Sequence, residues 1–261
     1  MDLRLQGKKA LVSGSTKGIG RAIAETLAAE GAEVIINGRS EDSIEDALCE
    51  MNKKLDNPKI SGIACDFSKD EDIGHLIKAA GDIDILVNNV GVFEPKDFLD
   101  IPDTDWQRFF DINVMSGVRL SRAFLPHMLE QDWGRIIFIS SESGINIPEE
   151  MVHYGMTKTA QLAISRGIAE TTKGTKVTVN SVLPGPTLSE GVREFANIGE
   201  EQDREEVEKS FFDTERPTSL IQRFAEPQEV ANMVAYVASP LSSATNGAAL
   251  KVDGGVVKTA F

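Results

Sequence analysis

The chain predicts an α/β protein, a doubly wound parallel sheet of about seven strands in a Rossmann-type three-layer αβα sandwich. Three observations predict it. Short Val/Ile-rich runs alternate with helix-length segments along the 261 residues. Those runs are apolar almost throughout, as strands covered on both faces must be. A glycine-rich turn follows the first of them and opens the first helix. No Pro/Gly/Ser linker and no internal repeat divides the chain, so residues 1–261 read as one domain.

The elements follow in order. "KKALVSG" is the first strand, and "GRAIAETLAAEG" is a helix whose Ala, Ile and Leu share one face, closed by Gly31. "EVIIN" is the second strand, followed by an amphipathic helix from Glu41 to Leu55. "KISGIAC" and "DILVNN" are strands three and four, with a helix around Glu71 to Ala80 between them. A long helix runs from about Asp103 to Leu129, "GRIIFIS" is strand five, and Met151 to Thr172 is another long helix. "KVTVNSVL" is strand six. A polar segment then interrupts the alternation before the helix "PQEVANMVAYVAS" and a last strand near "AALKVDGG". Ligands of such sheets bind beyond the carboxyl ends of the strands, so chemistry is sought there.

Bulk properties exclude several functions. A net charge of −14 argues against nucleic acid and against an anionic membrane surface. Neither the N-terminus nor any later stretch has an apolar run long enough for a signal peptide or a bilayer span. Cys49 and Cys65 are too few for a disulfide framework, which suits a reduced, cytoplasmic protein. His75, His127 and His153 share no metal-ligand spacing, so no metal is expected. The acidic run from Glu200 to Lys209 reads as a solvated face.

Gly14, Gly18 and Gly20 in "SGSTKGIGRAIA" sit where a dinucleotide pyrophosphate needs close backbone approach and a helix N-terminus. Their spacing departs from the common G-x-G-x-x-G. At the end of strand two, "NGRS" offers Arg39 and no carboxylate, and Lys17 adds a second cation. Both favour the extra phosphate of NADP(H), with NAD(H) still possible.

In "MVHYGMTKTA", Lys158 follows Tyr154 by one helical turn. A phenol is a poor acid or base at neutral pH, and a neighbouring ammonium would lower its pKa. Strand five ends in "FISSESG", which places hydroxyls at the same edge of the sheet to bind a carbonyl oxygen.

Taken with "CDFS", "NNVG", "FDINVMSG", "YGMTK", "VLPGPT" and "VDGG", these stretches resemble the single-domain short-chain dehydrogenase/reductase family over nearly the whole chain. The resemblance implies catalysis by Ser141, Tyr154, Lys158 and Asn113, with Asn113 completing a proton relay through an ordered water. Ser140 and Ser143 are the alternatives to Ser141. It implies a cofactor held by Gly14, Ser15, Thr16, Lys17, Gly18, Ile19, Gly20, Arg39, Asp66, Phe67, Asn88, Tyr154, Lys158, Pro184, Gly185 and Thr187. One departure is Val90, where alanine is usual. The implied activity is interconversion of a ketone or aldehyde and an alcohol with NADP(H). A non-redox lyase or epimerase and a non-catalytic sensor or scaffold are the alternatives.

The segment from Leu188 to Pro217, with Phe195, Phe211 and Phe212, reads as a substrate lid, and Val92, Phe93, Glu142, Ile145 and Ile147 as further wall. Gly155 would let a nicotinamide ribose approach. His153, beside Tyr154, reads as a bystander. The resemblance further implies a homotetramer or dimer formed through the two long helices.

Overall fold

A computed structural model describes residues 1–190, 192 and 204–260. Seven parallel strands form one sheet in the order β3-β2-β1-β4-β5-β6-β7. They are β1 (Lys9–Val12), β2 (Glu33–Gly38), β3 (Ile60–Ala64), β4 (Ile85–Asn88), β5 (Gly134–Ile139), β6 (Val177–Pro184) and β7 (Ala249–Val252). The helices are α1 (Gly18–Ala29), α2 (Glu41–Lys54), α3 (Asp70–Ala80), α4 (Asp103–Phe109), α5 (Ser116–Glu130), α6 (Val152–Thr171), α7 (Arg204–Thr214) and α8 (Pro227–Ala238). Strand order reverses between β1 and β4, which opens a crevice at their carboxyl ends.

The strand residues explain the layering. β4, β5 and β6 are buried along their whole length, and their alternate side chains feed two separate cores. On one face Val12, Ile36, Val87 and Ile137 pack with Ile23 and Leu27 of α1 and Val230 and Val234 of α8. On the other, Leu11, Leu86, Ile136 and Phe138 pack with Leu76 of α3 and Leu120 and Phe124 of α5. Each such side chain, fully buried, contributes about 1.5–3 kcal/mol.

Two departures from the sequence reading bear on the site. The helix expected from Asp103 to Leu129 is interrupted by a π-helical turn, Phe110–Met115, which carries Asn113. Such turns insert one residue into an α-helix and collect at functional positions. The expected lid, 188–217, falls partly outside the described residues, as does Phe195. Its described part includes α7, and Phe211 and Phe212 of that helix pack with Phe224 as a small core of their own.

Candidate active site

The loop between β1 and α1 is clamped by side chains from its neighbours. Gly14 and Gly18 have φ of +61° and +59°, which only glycine adopts without strain. The Gly14 amide donates to Asn37 Oδ1 (3.0 Å) and the Ser15 hydroxyl to Val12 O (2.6 Å). Asn89 Nδ2 donates to Ser13 O (3.0 Å) and Gly14 O (2.8 Å). A Cβ on Gly20 would collide with Asn89 Nδ2 and Gly14 O, so this glycine serves the packing of loop against helix.

At the N-cap of α1, Lys17 makes no capping bond. The first-turn amides are therefore without a side-chain cap, and the helix dipole makes this end attractive to an anion. Lys17 and Arg39 are exposed and form no ion pair among the described residues. Hydrogen bonds from Ser68 hold the Asp66 carboxyl below its usual range, and Arg39 adds to the effect from nearby. Uncapped amides and two free cations fit a phosphate-bearing ligand.

Beyond β4, β5 and β6 lies a cavity of about 730 Å³, bounded by the glycine loop at Ile19, by Asn89 and Phe93, and by α7. The three neighbouring serines differ in what their hydroxyls do. The Ser140 hydroxyl donates to Lys158 O (2.8 Å) and that of Ser143 to Glu142 Oε1 (3.1 Å). The Ser141 hydroxyl oxygen accepts from Ser143 N (3.1 Å) and, unlike the other two, donates to no protein acceptor among the described residues, which separates it from the two alternatives. Lys158 Nζ lies 5.5 Å from the Tyr154 ring centroid, and Phe93 meets that ring edge-on at 6.3 Å. Pro184, Gly185 and Thr187 line the same cavity. Thr187 Oγ1 donates to Gly185 O (2.9 Å), and Thr187 pairs with Ala225 in a parallel bridge.

Several expectations change. Lys158 was to draw the Tyr154 pKa down, yet burial pushes the phenol up to about 12 despite the opposing effect of Ser141. The cause is the phenol's own burial, and the lysine's burial separately pushes its ammonium down to about 8. That ammonium donates to Ile139 O (2.9 Å) and contacts Gln161 Oε1 (3.4 Å). Asn88 bonds Ser121 on α5 (3.1 Å) and does not line the cavity, whereas Asn89 does. The Phe67 ring is buried in the core under β3, so only its backbone could meet a ligand. Val90 packs on Gly14 rather than on the cavity. A Cβ on Gly155 would sit 2.6 Å from Ile147 Cγ2 and 3.1 Å from Ser143 O, so Gly155 admits the loop after β5 rather than a ribose. Phe93 and Glu142 line the cavity; Val92, Ile145 and Ile147 do not.

The Asn113 side chain accepts from Val92 N (2.7 Å) and donates to Val92 O (2.9 Å) and Thr157 Oγ1 (3.0 Å), while its main-chain carbonyl accepts from Gln161 Nε2 (2.6 Å). The sequence reading missed Asn89, Gln161 and Arg216. Adjacency to Asn88 marked the first, and position one turn beyond Lys158 marked the second. Arg216 had no signal, because its partner Glu142 lies 74 residues away. His153 is fully buried between Trp106 and Phe109, and neither ring nitrogen has a partner. Among the described residues no cluster of three potential metal ligands occurs, and no helix is long and apolar enough to cross a membrane.

The family model described as enoyl-(acyl carrier protein) reductase matches residues 14–257. The chain is 51% identical to the uncharacterized oxidoreductase YvaG of Bacillus subtilis, with 100% of both chains covered. It is 32% identical to the 3-oxoacyl-(acyl-carrier-protein) reductase FabG of Aquifex aeolicus, over 98% of this chain and 100% of that one. Among solved structures, the L-sorbose reductase of Gluconobacter frateurii complexed with NADPH and L-sorbose superposes with a TM-score of 0.91. Its identity is 30%, with 99% of this chain and 100% of that chain covered.

Proposed function

This chain belongs to the short-chain dehydrogenase/reductase family and is an oxidoreductase of carbonyl and CH–OH groups; from that premise we propose that it interconverts a ketone or aldehyde and its alcohol with NADP(H). The observation that carries the reading is that Ser141, whose hydroxyl donates to no protein acceptor among the described residues, lines one cavity with Tyr154, with Lys158 beside the ring. When bound, the nicotinamide supplies or accepts the hydride. With its pKa pushed up to about 12, Tyr154 is protonated at neutral pH and serves as the acid in reduction. Its hydroxyl gives a proton to the carbonyl oxygen while the Ser141 hydroxyl donates to that oxygen and steadies the developing charge. Lys158 provides a buried cation close to the phenol as it becomes phenolate.

Gly14, Ser15, Thr16, Gly18, Ile19 and Gly20 would hold the pyrophosphate, Asp66 and the Phe67 backbone the adenine. Pro184, Gly185 and Thr187 would flank the nicotinamide. Preference for NADP(H) is supported by the unpaired Lys17 and Arg39, and by the NADPH bound to the sorbose reductase. The chain is read as one catalytic domain, its lid at about 188–217. A cytoplasmic location and self-association through α4 to α6 complete the proposal; the partly exposed Phe110 on the π-turn supports the latter. Sedimentation that finds monomer alone would remove it.

The test is turnover of NADPH and of NADH against a panel of ketones and aldehydes, followed at the nicotinamide absorbance. Tyr154→Phe is expected to abolish turnover and keep NADPH binding. Retained turnover in that variant would overturn the assignment.

A further inference from the structure

The buried side of Lys158 ends on a residue that the reaction scheme does not use. Gln161 lies one helical turn beyond Lys158 on the same face of α6, and the two are only 2% and 4% exposed. Its carboxamide spans two groups. Nε2 donates to the main-chain carbonyl of Asn113 in the π-turn at 2.6 Å, and Oε1 faces Lys158 Nζ at 3.4 Å. The Asn113 side chain is occupied by Val92 and Thr157, so the π-turn meets α6 at this point through its backbone.

We infer that Gln161 is a positioning residue for the Tyr154–Lys158 pair: its amide bridges the Asn113 carbonyl to the Lys158 ammonium and fixes where that ammonium points. The inference rests on the proposed roles of Tyr154 and Lys158. An ammonium has three protons to donate. Ile139 O and Gln161 Oε1 take two on the protein side, which leaves the third for the cavity, where Lys158 joins the lining. Both acceptors are amide carbonyls, which hold the ammonium without taking up its proton. Gln161 thus engages the main chain of Asn113, the residue for which the family resemblance implies a relay role. In this chain the π-turn is thereby coupled to the lysine through a fixed side chain.

The electrostatics agree with the geometry. Burial lowers the Lys158 pKa, and no carboxylate among the described residues offsets it. Tyr154, on the same helix, is the titratable group at its side. The acceptors that face the buried charge are the Ile139 carbonyl and the Gln161 oxygen.

The experiment is a pH titration of the ligand-free protein carrying 13C-labelled lysine, with the Lys158 Cε resonance assigned by its loss in Lys158→Arg. Gln161→Met keeps the shape and removes both hydrogen bonds; it is expected to lower the Lys158 pKa by about half a unit. Gln161→Glu places a carboxylate at the ammonium and is expected to raise it by about one unit or more. A residue that only fills space would leave the titration unmoved in Gln161→Met. An unchanged titration in Gln161→Met, with wild-type melting, overturns the inference. If Gln161→Met does not fold, Gln161→Glu decides alone, and an unshifted lysine there overturns it equally. The readout needs no substrate, so its result is separate from that of the Tyr154→Phe turnover test.

Discussion

Arg216 Nε donates to Glu142 Oε1 at 3.0 Å, closing a buried ion pair between the segment after α7 and the turn after β5. Arg216 Nη1 also reaches Glu215 O (2.7 Å) and Glu150 Oε1 (3.4 Å), so one guanidinium gathers the cavity wall. Burial pushes the Glu142 carboxyl up, and Arg216 opposes that push. Removing the arginine strands a buried carboxylate, whereas removing both charges does not. Arg216→Met is expected to cost about 3 kcal/mol in urea unfolding. The double variant Glu142→Gln, Arg216→Met should recover at least half of that loss. Equal losses in the single and double variants would show that the pair is not coupled.

Gly155 separates two readings of the same position. If it admits the loop after β5, then Gly155→Ala clashes with Ile147 Cγ2, the branch methyl of a half-exposed side chain. The expected loss is about 1–3 kcal/mol of stability. Shortening the obstruction with Ile147→Ala should restore most of it, since the remaining 3.1 Å approach to Ser143 O asks for only a small shift. Thermal melting of the single and double variants checks this. A site kept open for a ribose would instead show weaker NADPH binding that Ile147→Ala leaves unrepaired.

Arg39 and Lys17 carry the proposed cofactor preference through charge alone. Arg39→Ser is expected to weaken NADPH binding about tenfold to a hundredfold and to leave NADH nearly unchanged, because one charge-assisted contact to a phosphate is worth about 1.5–3 kcal/mol. Nicotinamide fluorescence titrations with the two cofactors read the ratio directly. A parallel loss for both would place Arg39 outside the phosphate site.

Much of this molecule was legible because its signals are local. Runs such as Ile136–Ile139 declare a strand buried on both faces, and Gly14, Gly18 and Gly20 mark a turn that no other residues could make so tightly. Tyr154 and Lys158 share a helix face, so their neighbourhood follows from spacing. What escaped depends on distance in sequence or on a competition between energies. Glu142 and Arg216 meet only through the tertiary fold. Asn88 and Asn89 are adjacent and alike, and only the fold decides which one turns to the glycine loop. The π-turn at Asn113 leaves no mark in the apolar pattern, because one inserted residue shifts the helix phase by a single position. The Tyr154–Lys158 relation turns on energies that spacing does not carry: spacing brings a cation near the phenol, while burial pushes the phenol up and the ammonium down.

That same burial makes Lys158 a cost to the fold. Its ammonium has an ordinary pKa of 10.5 and is pushed down to about 8 by burial, so the unfolded chain binds the proton more tightly. Below about pH 8 the folded protein carries the full penalty, on the order of 3 kcal/mol for a shift of this size. As pH rises from 8 towards 10.5 the folded state releases its proton first, and the wild type gains stability across that window. Tyr154 acts in the opposite sense only above about pH 10, where the unfolded phenol ionises and the folded one, at about 12, does not. Lys158→Met keeps the aliphatic stem and removes the charge, at the loss of the hydrogen bond to Ile139 O, worth about 1 kcal/mol, and of the longer and weaker one to Gln161 Oε1. The variant should therefore be more stable than the wild type by about 1–2 kcal/mol at neutral pH. That advantage should shrink towards pH 10, and turnover should be lost throughout. Thermal melting of both proteins from about pH 7 to pH 10 measures the difference. A variant that is less stable than the wild type at neutral pH would show that the lysine is held by more than the two carbonyls it touches.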